Sequence, residues 1–237
     1  MTDLTILDQL TIPLSIADLS PHFGRSAGRE KMAAAAGDLL TRLTMNWRPR
    51  AMIRWFTATT AGDEIALSPR QGGARTMHHL GHAATFMTPA KLAGVGLYTA
   101  GAELAEAAAT ASSQKRYLDA HLYELMGLTV LEKTRQELNR RVEQEAAQRG
   151  WGVGPFLSPG SVHGWDLSGQ VQLCALLPLE RIGVQISTSG VLRPFATIAC
   201  LIGIGPAYET TKVGSTCAVC NRREDCPMRH TSQTTQS

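Results

Sequence analysis

The chain has no long hydrophobic run. No uninterrupted apolar stretch approaches the roughly 18–20 residues that a bilayer-crossing helix requires. The opening, Met1 to Leu10, holds two aspartates and no basic residue, so it lacks the pattern of a secretory leader. Aromatic residues are scarce at 5%, and 23 Lys plus Arg stand against 20 Asp plus Glu for a net charge of only +3. A basic surface interleaved with aromatic rings is therefore missing, which argues against nucleic acid as a partner. Five cysteines in 237 residues, an odd number, do not make a disulfide framework. What is present is the balance of a folded soluble protein: 43% hydrophobic residues, 18% charged residues and a mean hydropathy of -0.08. That length suffices for one large domain or two small ones. The cysteine usage reads as a reducing cytoplasm.

Local patterns divide the chain into four parts: residues 1–50 as a helical N-terminal appendage, 51–210 as an α+β domain, 211–230 as a cysteine-cluster segment and 231–237 as a disordered polar tail. In the first part, Arg29 to Leu43 is an alanine-rich helix ended before Trp47-Arg48-Pro49. Ala51 to Thr60 is a strand, and Glu64 to Leu67 pairs with it across Ala61-Gly62-Asp63. Ser68 to Pro89 shows no period and reads as a loop around a short helix. Leu92 to Tyr98 is a strand and Ala102 to Ala111 a helix by propensity. Tyr117 to Arg149 has the strongest 3.6-residue periodicity; Gly127 is expected to divide it and Gly150 to cap it. A Gly-, Pro- and Ser-rich loop over Trp151 to Gly164 precedes a short helix, Ser168 to Leu177. Ile182 to Ser187 and Thr197 to Ile204 are then expected as neighbouring strands.

The most specific chemical feature is Cys217-x2-Cys220-x5-Cys226 followed by Pro227. A two-residue gap lets two thiolates converge on one metal or cluster, and a longer loop returns the third. His230, Cys200, Cys174 or an external ligand would complete four. Spacing leaves zinc and an iron–sulfur cluster both open. Other features read as ordinary. His78, His79 and His82, with 78 and 82 one helical turn apart, lack an acidic or cysteine partner and are expected at the surface. Gly94-Val95-Gly96 lacks the third glycine and the acidic residue of a dinucleotide fold, so close packing explains it. Cys174 and Cys200 sit in apolar segments as small core residues. His163 is expected to be solvated, and Trp151 and Trp165 flank the Gly160 loop as packing residues or pocket walls.

Several short pieces occur in a telling order: Gly94-Val95-Gly96-Leu97 into Thr99-Ala100-Gly101, Leu118-Asp119-Ala120, Ser158-Pro159-Gly160, Leu176-Leu177-Pro178, Arg181-Ile182-Gly183-Val184, Ser189 to Pro194 and Ile202-Gly203-Ile204. Over Leu92 to His230 the chain thus resembles the activation domain of vitamin B12-dependent methionine synthase. It is closer to free-standing bacterial proteins built on that domain, which also end in a cysteine cluster. The resemblance implies an α+β fold with a twisted, mainly antiparallel sheet and flanking helices. It implies a partner, a corrinoid-binding methyltransferase protein carrying cobalamin, whose cobalt has drifted to Co(II). An electron donor, a flavoprotein or ferredoxin, and a methyl group from S-adenosylmethionine restore it; coupling to an exergonic methyl transfer pulls a difficult reduction forward. With that role an iron–sulfur cluster on Cys217, Cys220 and Cys226 is favoured over zinc.

The same resemblance assigns the cofactor-binding loop to Ser158, Pro159 and Gly160, with Arg193 approaching from the next loop and the glycine loop forming a cleft over the corrinoid. In that family an arginine stands four residues before a glycine-tyrosine pair and holds the S-adenosylmethionine carboxylate. Here Phe156 occupies the arginine position and Ser161 the tyrosine position. Losing a charge-assisted contact of roughly 1.5–3 kcal/mol weakens binding by about one to two decades. The alternatives are a non-catalytic corrinoid-protein-binding module, or a zinc-stabilised interaction protein with a vestigial S-adenosylmethionine site.

Overall fold

A computed structural model describes residues 3–23, 28–44, 46–162 and 164–215. Its centre is two strands with almost no polar face. β5 (Leu92–Thr99) is buried at every residue and β9 (Thr197–Gly205) at every residue except Ile198. They pair antiparallel from Leu92↔Ile204 to Thr99↔Thr197. Sequences such as LAGVGLYT and TIACLIGIG do not alternate because both faces of the sheet are covered.

Around this pair the antiparallel sheet runs β4 (Thr76–His79), β3 (Glu64–Pro69), β2 (Arg50–Ala61), β5, β9, β6 (Gly152–Val153). The long β2 serves two partners along one edge. β1 (Leu4–Leu7) pairs with its first half, Leu4↔Arg54 to Leu7↔Ala51, and β3 with its second, Phe56↔Pro69 to Ala61↔Glu64. The hairpin across Gly62 is thus as the sequence predicts.

One face is covered by helices. The 31-residue α4 (Tyr117–Ala147) lays Leu122, Met126, Val130, Leu138 and Val142, all fully buried, against the sheet. α3 (Glu103–Ser113) packs on it, as do the short α1 (Ile16–Leu19) and α2 (Gly28–Arg42). Ser15 caps α1 in a capping box with Asp18, and Lys133 of α4 pairs with Asp18 at 2.8 Å. The glycines of β5 make this layer close: a Cβ on Gly96 would stand 2.7 Å from Cys200 Sγ and 3.1 Å from Leu138. The opposite face is covered by irregular structure, comprising a 3-10 segment Gly81–Met87, the loop from Leu157 to Trp165, α5 (Gly169–Cys174) and a 3-10 turn Leu179–Ile182.

Four expectations are corrected. Residues 1–50 are not an appendage, because β1 extends the sheet and Ile12, Leu19, Phe23, Ala36 and Leu39 belong to the helix-side core. A four-residue strand is too short to show its period, although Leu4 and Ile6 do face one core and Leu7 the other. Within Ser68 to Pro89, β4 forms an edge strand on β3 despite its polar sequence, since β3 supplies the hydrogen bonds. Gly127 does not divide α4. Its penalty of about 1 kcal/mol relative to alanine is met by packing, with Leu104 of α3 only 3.9 Å from where its Cβ would be. Ile182 to Ser187 does not neighbour β9. Gly183 turns left-handed at φ 69°, and the remaining β7 (Gln185–Ile186) pairs with β8 (Leu192–Arg193) in a separate hairpin.

The helix-to-sheet contact is checked by two leucines of one helix. Leu138→Ala empties a fully buried site and is expected to lower unfolding free energy by about 2–5 kcal/mol in urea titration. Leu128→Ala, at a side chain 51% exposed, should change it by less than about 0.5 kcal/mol.

Candidate functional site

The loop after β6 is built from the sheet outward. Leu157 exchanges two backbone hydrogen bonds with Leu201 of β9, at 3.1 and 2.9 Å, and the buried Ser158 donates from Oγ to the Ala199 carbonyl at 2.9 Å. Pro159 is buried too, so the chain reverses over the sheet rather than away from it. The reversal is a tight turn: Ser161 N–H donates to the Ser158 carbonyl at 3.1 Å, with Gly160 at φ 78°. Proline in the second position and a left-handed glycine in the third are what such a turn demands. Gly160 N–H donates to the Trp165 carbonyl at 2.8 Å, closing the loop on itself. Of the three residues, only Gly160 reaches the surface.

A second turn lies alongside. Ser187 to Gly190 connects β7 to β8, and Gln170 of α5 donates to the Gly190 carbonyl at 2.6 Å. The segment into α5 joins the two turns. Leu167 packs beside Gly160, 3.4 Å from where its Cβ would be, and Val171 packs 3.7 Å from that of Gly190. Leu167 (52% exposed), Val171 (36%) and Val191 (42%) give this surface an apolar character that the fold does not otherwise require. Arg193 sits exposed on β8, opposite Gln185, and its side chain makes no hydrogen bond or ion pair among the described residues.

Space beneath the loop is filled. Phe156 and Trp165 are each 3% exposed. Phe156 points to the helix side, edge-on to Tyr98 with ring centroids 6.1 Å apart, and the Arg135 guanidinium of α4 lies 5.8 Å from its centroid. Arg135 is held by both oxygens of Glu132, at 2.8 and 2.5 Å. The guanidinium over the Phe156 ring is thus already neutralised. At the surface the loop offers an apolar patch, and the cavity beside Arg54 and the one beside Asp38 and Arg42 lie elsewhere.

Sequence reasoning missed the strap that follows β9. Tyr208 drops into a groove where a side chain on Gly152, Gly154 or Gly203 would collide with it, and its hydroxyl donates to the Phe86 carbonyl at 2.7 Å. The strap then runs parallel to the loop. Val153 N–H donates to Thr210 at 2.7 Å, Phe156 N–H to Gly214 at 3.0 Å, and Glu143 of α4 receives Lys212 and the Val213 N–H. The glycine spacing in 152–154 and 203–205 was the available signal, legible only once Tyr208 is seen between them.

The cysteines expected to hold a metal, Cys217, Cys220 and Cys226, with His230, lie outside the described residues, as does His163. Among the described residues no cluster of three or more His, Cys, Asp or Glu side chains is arranged to hold a metal. Cys200 and Cys174 do not fit as a fourth ligand. They are buried in the two different cores, and burial pushes the Cys174 thiol up to about 12 and the Cys200 thiol higher still. A thiol so reluctant to ionise is a poor ligand. The histidines share no helix face, because His78 and His79 are adjacent on β4, while His82 belongs to the 3-10 segment. His78 is buried rather than exposed, with Nε2 2.9 Å from Thr76 Oγ1.

These elements together form an α+β protein whose curled antiparallel sheet is sandwiched between a helical layer and an irregular layer. A solved structure with this architecture is the crystal structure of the MetH reactivation domain bound to AdoHcy. It is similar to the chain at a TM-score of 0.67 and 16% identity, over 89% of this chain and 81% of that one. At that identity the likeness establishes the fold. No family model matches the sequence, and no curated protein matches it.

Two measurements check this description. Gly160→Ala forces a side chain into a left-handed conformation and is expected to cost about 1–2 kcal/mol of stability in denaturant titration. Burial, opposed in part by a hydrogen bond with Gln172, holds the His78 imidazole below its ordinary value of 6.5. The unfolded chain therefore takes up a proton that the folded one refuses. Stability is full above about pH 6.5 and falls as the pH drops below it. His78→Asn should flatten that fall in melting temperatures measured between pH 7 and pH 5.

Proposed function

We propose that this chain is an accessory protein for reductive reactivation of a cobalamin-dependent methyltransferase, docking on the corrinoid-binding protein through the Gly160 turn and its apolar neighbours. The observation that carries this reading is the Ser158–Ser161 turn, bonded to β9 at the sheet centre within a fold similar to the MetH reactivation domain. In the reaction read here, one electron from a flavoprotein or ferredoxin takes Co(II) to Co(I). Transfer of a sulfonium methyl group then gives methyl-Co(III) and the thioether product. The chain's own part is to present a flat, water-excluding surface, with Leu167, Val171 and Val191 facing the partner.

On this reading thiolates of Cys217, Cys220 and Cys226, at the spacing the sequence gives them, hold an iron–sulfur cluster that passes an electron to the partner. Zinc on the same thiolates would instead serve a structural role.

Phe156 favours a second reading, a corrinoid-protein-binding module without methyl transfer. The glycine of the loop matches the S-adenosylmethionine-binding pattern that the sequence resembles, whereas the position of the cation for the carboxylate is held by the buried Phe156. Cobalamin spectra decide between them. On the first reading, the anaerobically purified chain, with reductant and S-adenosylmethionine, accelerates the return of a partner's cob(II)alamin signal to methylcobalamin. On the second it binds the partner, gives no heat with S-adenosylmethionine in calorimetry and leaves the signal unchanged. Failure to bind any corrinoid protein sinks both. Iron, sulfide and zinc analysis of the same preparation assigns the thiolate site, and Cys220→Ser should lower the bound metal to below half.

A further inference from the structure

A different edge of the sheet gathers positive charge that the corrinoid reading does not use. Arg54 of β2 is half-buried on the face shared with Met52 and Phe56. Its Nη1 donates to the Leu176 carbonyl at 3.1 Å, and its guanidinium lies 5.7 Å from the Phe56 ring centroid. These contacts fix the planar fork without cancelling its charge. Beside it opens a cavity of about 580 Å³, lined also by Arg181, Gln71, Leu176 and Pro178.

Arg181, exposed at the cavity wall, makes no hydrogen bond or ion pair through its side chain among the described residues. Asp3 contributes to the cavity lining but pairs with neither arginine, and the exposed Glu180 forms no ion pair among the described residues either. A half-buried cation without a direct ion pair keeps much of its charge available to an incoming anion. A concave wall focuses the field of such cations on whatever anion enters, and guanidinium forks match planar or tetrahedral oxyanions.

We propose that this cavity is an oxyanion-binding site for a small molecule. Its carboxylate or phosphate bridges Arg54 and Arg181, while Leu176 and Pro178 cover its apolar portion. The volume falls in the range of small-molecule sites, about 300–1,000 Å³. The site is separate from the Gly160 turn, so it stands whether or not the chain acts on corrinoids.

The test is a titration of the full chain with inorganic phosphate, and in parallel with acetate, followed by NMR of the arginine side-chain Nε–Hε signals at constant ionic strength set with chloride. Saturable shifts at Arg54 and Arg181 are expected, and Arg181→Gln, at an exposed position that the fold does not need, should weaken binding about tenfold or more, the loss of one charge-assisted contact. Arg140→Gln, on α4 across the sheet, makes the same change in net charge and should leave the affinity as it was. Tighter phosphate than acetate assigns a phosphorylated ligand, and the reverse order a carboxylate. The proposal is overturned by the absence of a saturable response to both anions, or by equal losses in Arg181→Gln and Arg140→Gln.

Discussion

The burial of β5 and β9 on both faces constrains everything else in this molecule. An antiparallel pair without a polar side cannot face water, so the chain must supply two covers, and it supplies two unlike ones. A long regular helix covers one side, brought close by the missing side chain of Gly96. The other is covered by a loop, a six-residue helix and short 3-10 turns, whose backbone groups have to be satisfied piecemeal. Regular cover provides stability, and irregular cover places two turns and their apolar neighbours at the surface.

That division explains why the functional reading rests on the irregular layer. Ser158 and Pro159 are spent on holding the turn to β9, leaving Gly160 and the side chains of Leu167, Val171 and Val191 at the surface. The strap links the layers: Tyr208 lodges against glycines of β6 and β9, Glu143 of α4 secures Lys212 and Val213, and Gly214 ends beside Pro155. A change at the loop is thus felt along the segment that leads to the three cysteines. Charge is distributed differently. The guanidinium near the loop is paired with Glu132, whereas Arg54 and Arg181 pair with no carboxylate among the described residues.

Much of the architecture was legible because it is carried by local periodicity. α4 shows eight apolar positions at helical spacing, the β2–β3 hairpin carries Gly62 at its turn, and the unbroken apolar runs of β5 and β9 can only be strands of that length or buried helix. The resemblance to methionine synthase activation domains fits the fold found here. The elements that went unread share one property, which is that their stability comes from a neighbour and not from their own sequence. β1 and β4 are four residues each and exist because β2 and β3 offer unpaired hydrogen-bonding edges.

Sequence alone therefore determined the α+β class, the principal helix and strands, the turn chemistry of Pro159 and Gly160, and the thiolate spacing of Cys217, Cys220 and Cys226. These depend on propensities and distances within a few residues. Tertiary structure alone decided that Phe156 and Trp165 fill the interior, that Tyr208 binds the C-terminal strap to the loop, and that Arg54 and Arg181 meet at one cavity. Each of those depends on which residues far apart in the chain become neighbours, and burial of the sheet's two faces, rather than any local pattern, settles that.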